Sequence, residues 1–146
     1  MSKKDFSITL LVNKTPEQVF KAVKNVRDWW SGYYSEEFKG DTEKLNDEFS
    51  FRAGGGAHYS KQKLVEVIPN NKIVWLITDS KLTFIEKTDE WTGTKVIFDI
   101  SEKGSNTQLT FTHEGLTPQI ECYDACAPAW TQYVQNKLLP LIQQEK

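Results

Sequence analysis

The chain has 146 residues, a formal net charge of −2, 38% apolar residues and 26% charged residues. That length fits one domain able to bury about 70% of the surface its unfolded form exposes, so neither metal nor disulfide is needed for stability. No apolar run reaches the roughly 20 residues of a membrane helix. The acidic balance lacks the basic footprint of a nucleic-acid protein, and an aromatic content of 12% excludes disorder. No nucleic acid and no membrane is therefore expected among the partners.

Phe6, Ile8, Leu10 and Val12 alternate with polar residues, the period of a half-buried strand. The same alternation distinguishes the start of the chain from a signal peptide. Two cysteines without such a signal imply free thiols in a reducing, cytoplasmic compartment. Thr15-Pro16-Glu17-Gln18 opens a helix, with Thr15 as cap, Pro16 at the first helical position and Gln18 closing a capping box. Val19, Phe20, Val23 and Val26 form its apolar stripe. A second short helix holds Trp29 and Trp30 and ends at Ser31-Gly32.

Beyond Gly32 the period becomes two. Strands are expected around Phe49–Phe51, from Tyr59 to Val67, around Ile73–Thr78, from Leu82 to Glu86, from Lys95 to Ser101 and from Thr107 to His113. Ile73–Thr78 is apolar on both faces and reads as central. Gly54-Gly55-Gly56 is a turn: it lacks the Gly-Lys-Ser/Thr and following helix of a phosphate loop. Tyr123, Ala127, Trp130, Val134, Leu138 and Leu141 then mark one continuous helix face. The pattern predicts a helix from Ile120 to Ile142, bent at Pro128 and frayed or bent at Pro140. Short links between strands imply an antiparallel meander, and the fold class is α+β.

Several stretches resemble one known family. They are TPEQVFKAVKN with the double Trp29-Trp30, EWTGTKVIFDIS, FTHEGL and ECYDACAPAWTQYV. The chain resembles, over most of its length from Phe6 to Ile142, the activator-of-heat-shock-protein-90-ATPase homologues of the START-like, or SRPBCC, helix-grip superfamily. The resemblance implies a curved antiparallel sheet wrapped around a long C-terminal helix. It also implies a cavity between sheet and helix in which many members bind apolar small molecules. The eukaryotic relative is a co-chaperone; the extra N-terminal domain important for stimulating its partner's ATPase has no counterpart ahead of the first strand.

The candidate ligand-binding residues are Trp30, Phe49, Phe51, Trp75, Phe84, Trp91, Phe98, Phe111, His113, Tyr123, Cys126 and Trp130. So many large rings either fill the space between sheet and helix or, being flat and rigid, leave an apolar pocket there. His113 shares its strand face with Leu109 and Phe111, so it points inward. Its ring then meets a ligand, or a backbone carbonyl or the final helix. His58, after the glycines, is expected to be exposed. Cys122 and Cys126 lie four apart, with a spacing unlike a zinc knuckle, so both are expected free and unligated. Ser60 and Ser101 lack a nucleophile-elbow motif, and no two carboxylates stand out as a catalytic pair.

No cofactor, metal or catalytic group is implied. The expected partner is an apolar or aromatic small molecule. The alternatives are a protein partner such as a chaperone, and an enzyme using His113 as acid–base. Oligomeric state is not legible in the sequence.

Overall fold

The computed structural model describes residues 5–145; the run-in to the first strand, up to Lys4, lies outside them. Seven strands form one antiparallel sheet among these residues: β1 (Phe6–Val12), β2 (Glu37–Gly40), β3 (Glu48–Ala53), β4 (His58–Ile68), β5 (Lys72–Leu82), β6 (Lys95–Lys103) and β7 (Asn106–Glu114). Their order is β1-β7-β6-β5-β4-β3-β2. Strands β2 to β7 form the expected meander, β5 is central, and β1 closes the far edge against β7. Helices α1 (Pro16–Lys24) and α2 (Val26–Trp29) occupy the connection between β1 and β2.

Period two decides what the sheet presents to the interior. On β7, Thr107, Leu109, Phe111 and His113 are buried in strict alternation. On β6, Val96, Phe98 and Ile100 do the same, with Phe98 opposite Phe111 and Val96 opposite His113. Register shifts between β4 and β5 at Lys61/Gln62 and Leu64/Glu66 bend the longest strands, as bulges do, and curve the sheet around the helices.

The α1 cap forms as its sequence implies. The Gln18 amide donates to Thr15 Oγ1 at 3.1 Å, and the Thr15 amide donates back to Gln18 Oε1 at 2.9 Å. Such a cap stabilises a helix by about 1 kcal/mol.

The long C-terminal helix spans residues 123–143 as α3 (Tyr123–Tyr133), a π-helical turn (Val134–Leu138) and α4 (Leu139–Gln143). It starts three residues later than the sequence predicts. Ile120 to Cys122 form turns, and Glu90 from another loop accepts the amides of Glu121 and Cys122 at 2.9 and 2.8 Å. That carboxylate anchors the N-cap residue and the one before it, while Cys122 itself makes no side-chain cap. Pro128 sits inside α3 and leaves the Asp124 carbonyl without its helical donor. Pro140 does not end the helix. The Leu139 amide reaches back five residues to the Val134 carbonyl, so a π turn loosens the helix just before the proline that has no N–H to give.

Two further expectations change. The separate strand at Leu82–Glu86 is absent: β5 runs on to Leu82, and residues 83–94 form a loop. β2, a short edge strand with only Phe38 half-buried, has too little alternation to be seen in sequence.

Candidate functional site

The helix–sheet interface is filled at one end and open at the other. The filled end is built from Trp29, Trp75, Phe49, Phe98, Val134 and Leu138, all essentially inaccessible to water. Trp29 stacks on Trp75 and meets Phe98 edge-on, with centroids at 6.2 and 5.9 Å. Its indole N–H is satisfied by the Val23 carbonyl at 3.1 Å.

At the open end lies a cavity of about 240 Å³. The sheet contributes Phe51 and Ala53 from the end of β3, then Gly54, Ala57 and His58. Trp30 comes from the C-cap of α2, and α3 contributes Ala125, Cys126, Ala129, Trp130 and Tyr133. Loops add Tyr34, Phe84 and Trp91. Gly54, Gly55 and Gly56 all have positive φ (62°, 69° and 98°). Only glycine takes three such residues in a row without strain, and this tight turn swings His58 back into the wall.

The indoles set the shape of the cavity. Trp30 lies on Phe51 at 3.8 Å and 8° and on Trp130 at 4.8 Å and 28°, while Trp91 and Trp130 are within 9° of parallel at 5.8 Å. Ala125 and Ala129 stand one helical turn apart where larger side chains would fill the space. Tyr34 and Phe84 are each about half exposed and form the rim.

Three carboxylates hold the surrounding loops. Glu121 accepts the Glu86 amide at 3.0 Å and Glu90 clips the helix entrance in return, so the loop carrying Phe84 and Trp91 is tied to the start of α3. Glu36 accepts the amides of Gly32, Tyr33 and Tyr34 and the Tyr133 hydroxyl, the last at 2.6 Å. Burial opposes ionisation of Glu36, but these hydrogen bonds outweigh it and hold the carboxyl below its ordinary range. Burial and the same carboxylate push the Tyr133 hydroxyl far above its ordinary range.

The two histidines differ sharply. His113 is fully buried. Its Nδ1 accepts the Trp130 indole N–H at 3.0 Å and its Nε2 lies 2.9 Å from Thr94 Oγ1, which itself reaches the Trp91 carbonyl at 2.6 Å. The Trp130 donation fixes the tautomer: Nε2–H donates to Thr94, and the Thr94 hydroxyl donates onward. Burial lowers its pKa to about 3. The ring is thus neutral and fully satisfied, and it lies behind Trp91 and Trp130 instead of on the cavity wall. It is not placed to act as acid–base on a bound molecule.

His58, expected to be exposed, is partly buried and lines the cavity. Its Nε2 is buried without a partner, and burial lowers its pKa to about 4. Trp91 stands between the two imidazoles, edge to face with each at 4.6 and 4.7 Å.

Of the residues singled out in the sequence, Trp30, Phe51, Phe84, Trp91, Cys126 and Trp130 line the cavity. Phe49, Trp75, Phe98 and Phe111 pack the solid core instead, and Tyr123 packs on Phe6 at 6.5 Å. Sequence reasoning missed Tyr34, the alanines, His58 and Tyr133. The alanine pair on an otherwise bulky helix face is the one readable signal for the void. Cys122 and Cys126 are not free: they form a disulfide, with Cα atoms 5.6 Å apart, inside the range that a bridge spans. No group of three or more His, Cys, Asp or Glu side chains among the described residues could hold a metal ion, and no helix there is long and apolar enough to cross a membrane.

Residues 13–142 match the family described as Activator of Hsp90 ATPase homolog 1-like protein. The chain belongs to this family. Among solved structures, the Aha1 dimer from Colwellia psychrerythraea superposes with a TM-score of 0.70 at 18% identity, covering 97% of this chain and 98% of that one. The Mll3558 protein from Rhizobium loti gives 0.70 at 17% identity, covering 99% and 98%. DynU16, a putative protein of the dynemicin biosynthetic locus, gives 0.62 at 14%, covering 98% of this chain and 48% of that one. At these identities the likeness establishes the helix-grip fold alone. No functionally curated protein matches the sequence. The Aha1-like family thus fixes the frame, and the contents of the cavity must be argued from its walls.

Proposed function

We propose that this Aha1-like chain is a small-molecule binding module that holds a flat, apolar ring system in the cavity between the sheet and α3. The observation that carries this reading is the set of near-parallel indoles, Trp30, Trp91 and Trp130, around a void kept open by Ala125 and Ala129. A further flat ring continues such a stack, and apolar concave sites with few polar groups are the usual form of a ligand pocket. His113 is fully engaged behind the wall, and among the described residues His58 is the one imidazole in a lining that holds no Asp or Glu to pair with it, so binding without turnover is the reading we adopt. The cytoplasmic placement expected from the sequence rests on a chain start that alternates like a strand and is unlike a signal peptide; the disulfide does not add to it.

Calorimetric titration with 2-isopropenylnaphthalene tests the proposal. We expect saturable one-to-one binding that is lost in Ala129→Phe, a variant that fills the cavity. Absence of binding to the wild-type chain, or binding unaffected by Ala129→Phe, would overturn it.

A second reading, docking of a protein, draws on the half-exposed rings of Tyr34 and Phe84 at the rim, and on the relative from Colwellia being a dimer. A chaperone or a second copy of the chain would then cover the rim. Sedimentation of the chain alone and with Hsp90 separates this from the first reading, because a buried small molecule leaves the rim and the sedimenting mass unchanged.

A further inference from the structure

The cavity is apolar except at one corner. Trp91 Nε1 and His58 Nε2 are both buried and both lack a hydrogen-bond partner. Both residues line the cavity, with rings 4.6 Å apart. The Trp130 indole donates to His113, and the Tyr133 hydroxyl donates to Glu36. An unpaired buried polar group is rare in a folded protein and points to a missing partner.

We propose that the ligand is an aromatic carbonyl compound whose oxygen accepts hydrogen bonds from Trp91 Nε1–H and His58 Nε2–H. This rests on the small-molecule reading above. An indole nitrogen is a donor only, so its partner must be an acceptor. A carbonyl oxygen offers two lone pairs in one plane, which suits two neighbouring donors. The neutral His58 ring can present Nε2 with or without its proton, so the indole sets the demand for an acceptor and the imidazole adds its Nε2–H to the same oxygen. A carboxylate or phosphate would bring a charge into a lining that contains neither Lys nor Arg, which is costly in an apolar cavity. The near-parallel indoles then hold the aromatic part of the same molecule.

The test compares 2-acetonaphthone with 2-isopropenylnaphthalene, its isostere with a methylene in place of the oxygen. In the wild-type chain we expect the ketone to bind about tenfold more tightly, the factor that corresponds to one net hydrogen bond. In Trp91→Phe both probes lose part of the stack, and the ketone's advantage over the hydrocarbon should shrink from about tenfold to near parity. The wild-type comparison needs no variant to fold. Proton NMR supplies a further independent readout: the ketone should move the Trp91 indole N–H downfield and the hydrocarbon should not. Equal affinities for the two probes, the result expected if a trapped water is the only partner, would overturn the carbonyl proposal and leave the cavity reading standing. Binding of neither probe would overturn both.

Discussion

Trp91 divides two regions that use the same residue types in opposite ways. On one side His113, Thr94 and Trp130 form a closed chain of hydrogen bonds inside a solid core. On the other, His58 Nε2 and the indole N–H of Trp91 itself are buried beside the cavity with nothing to bond. A buried histidine is therefore not a site marker by itself. What distinguishes the two is whether the ring nitrogens are spoken for, and that depends on neighbours 17 to 19 positions away in sequence.

The largest effect should come from the filled region. Leu138→Ala removes a fully buried side chain from tight packing and should cost about 2–5 kcal/mol in denaturant unfolding. A loss below about 0.5 kcal/mol would mean that this face of the helix is not a packed core. Next come the histidines. His113→Leu leaves the Trp130 indole N–H without its acceptor and should cost about 1–3 kcal/mol, whereas His58→Leu removes an unpaired group and should cost less than about 1 kcal/mol. Equal losses at the two positions would erase the distinction drawn between them.

Acid should expose the same contrast. Both histidines have folded pKa values below the ordinary 6.5, about 3 for His113 and about 4 for His58, because burial disfavours the charged ring. The unfolded chain thus binds more protons than the folded one as pH falls below 6.5. Their contribution is complete above that pH and declines below it, at up to about 1.4 kcal/mol per pH unit for each histidine. Glu36, also lowered, adds a loss of the same sign only below its ordinary 4.5. Unfolding measured between pH 6.5 and 5 therefore reads the histidines, and the slope should flatten in His113→Leu. A slope that is unchanged in that variant would mean that His113 is not held neutral by burial.

The smallest effect is expected at the open end. Ala129→Phe adds a ring where there is already space, and should change stability by less than about 1 kcal/mol, far below the usual cost of overpacking. A loss of 2 kcal/mol or more would show that the space is not there.

Much of this architecture was legible in the sequence. Alternation along Thr107, Leu109, Phe111 and His113 gave the inward face of β7, and the spacing from Tyr123 to Leu141 gave the buried helix stripe. The Thr15–Gln18 cap was readable because it is local. The cavity was harder. Phe49, Trp75, Phe98 and Phe111 carry the same alternation as Phe51, and only the three-dimensional curve of the sheet decides which rings meet a void. His58 looked exposed because three glycines precede it, yet the turn they make is what folds it inward. Nothing in the sequence marks Glu36, Glu90 and Glu121. Their role is to accept backbone amides from distant loops, which no spacing reveals. The disulfide was missed because Cys122 was placed within the helix and not at its cap.

The chain has five tryptophans, and they divide between the two regions: Trp30, Trp91 and Trp130 border the cavity, while Trp29 and Trp75 belong to the solid core. Their indole N–H signals can be followed in a two-dimensional NMR titration with 2-isopropenylnaphthalene, each assigned by its Trp→Phe variant. The expected result is saturable movement of the Trp30, Trp91 and Trp130 signals, with Trp29 and Trp75 nearly still. Movement of all five alike, or of none, would contradict a ligand cavity at this end of the helix–sheet interface.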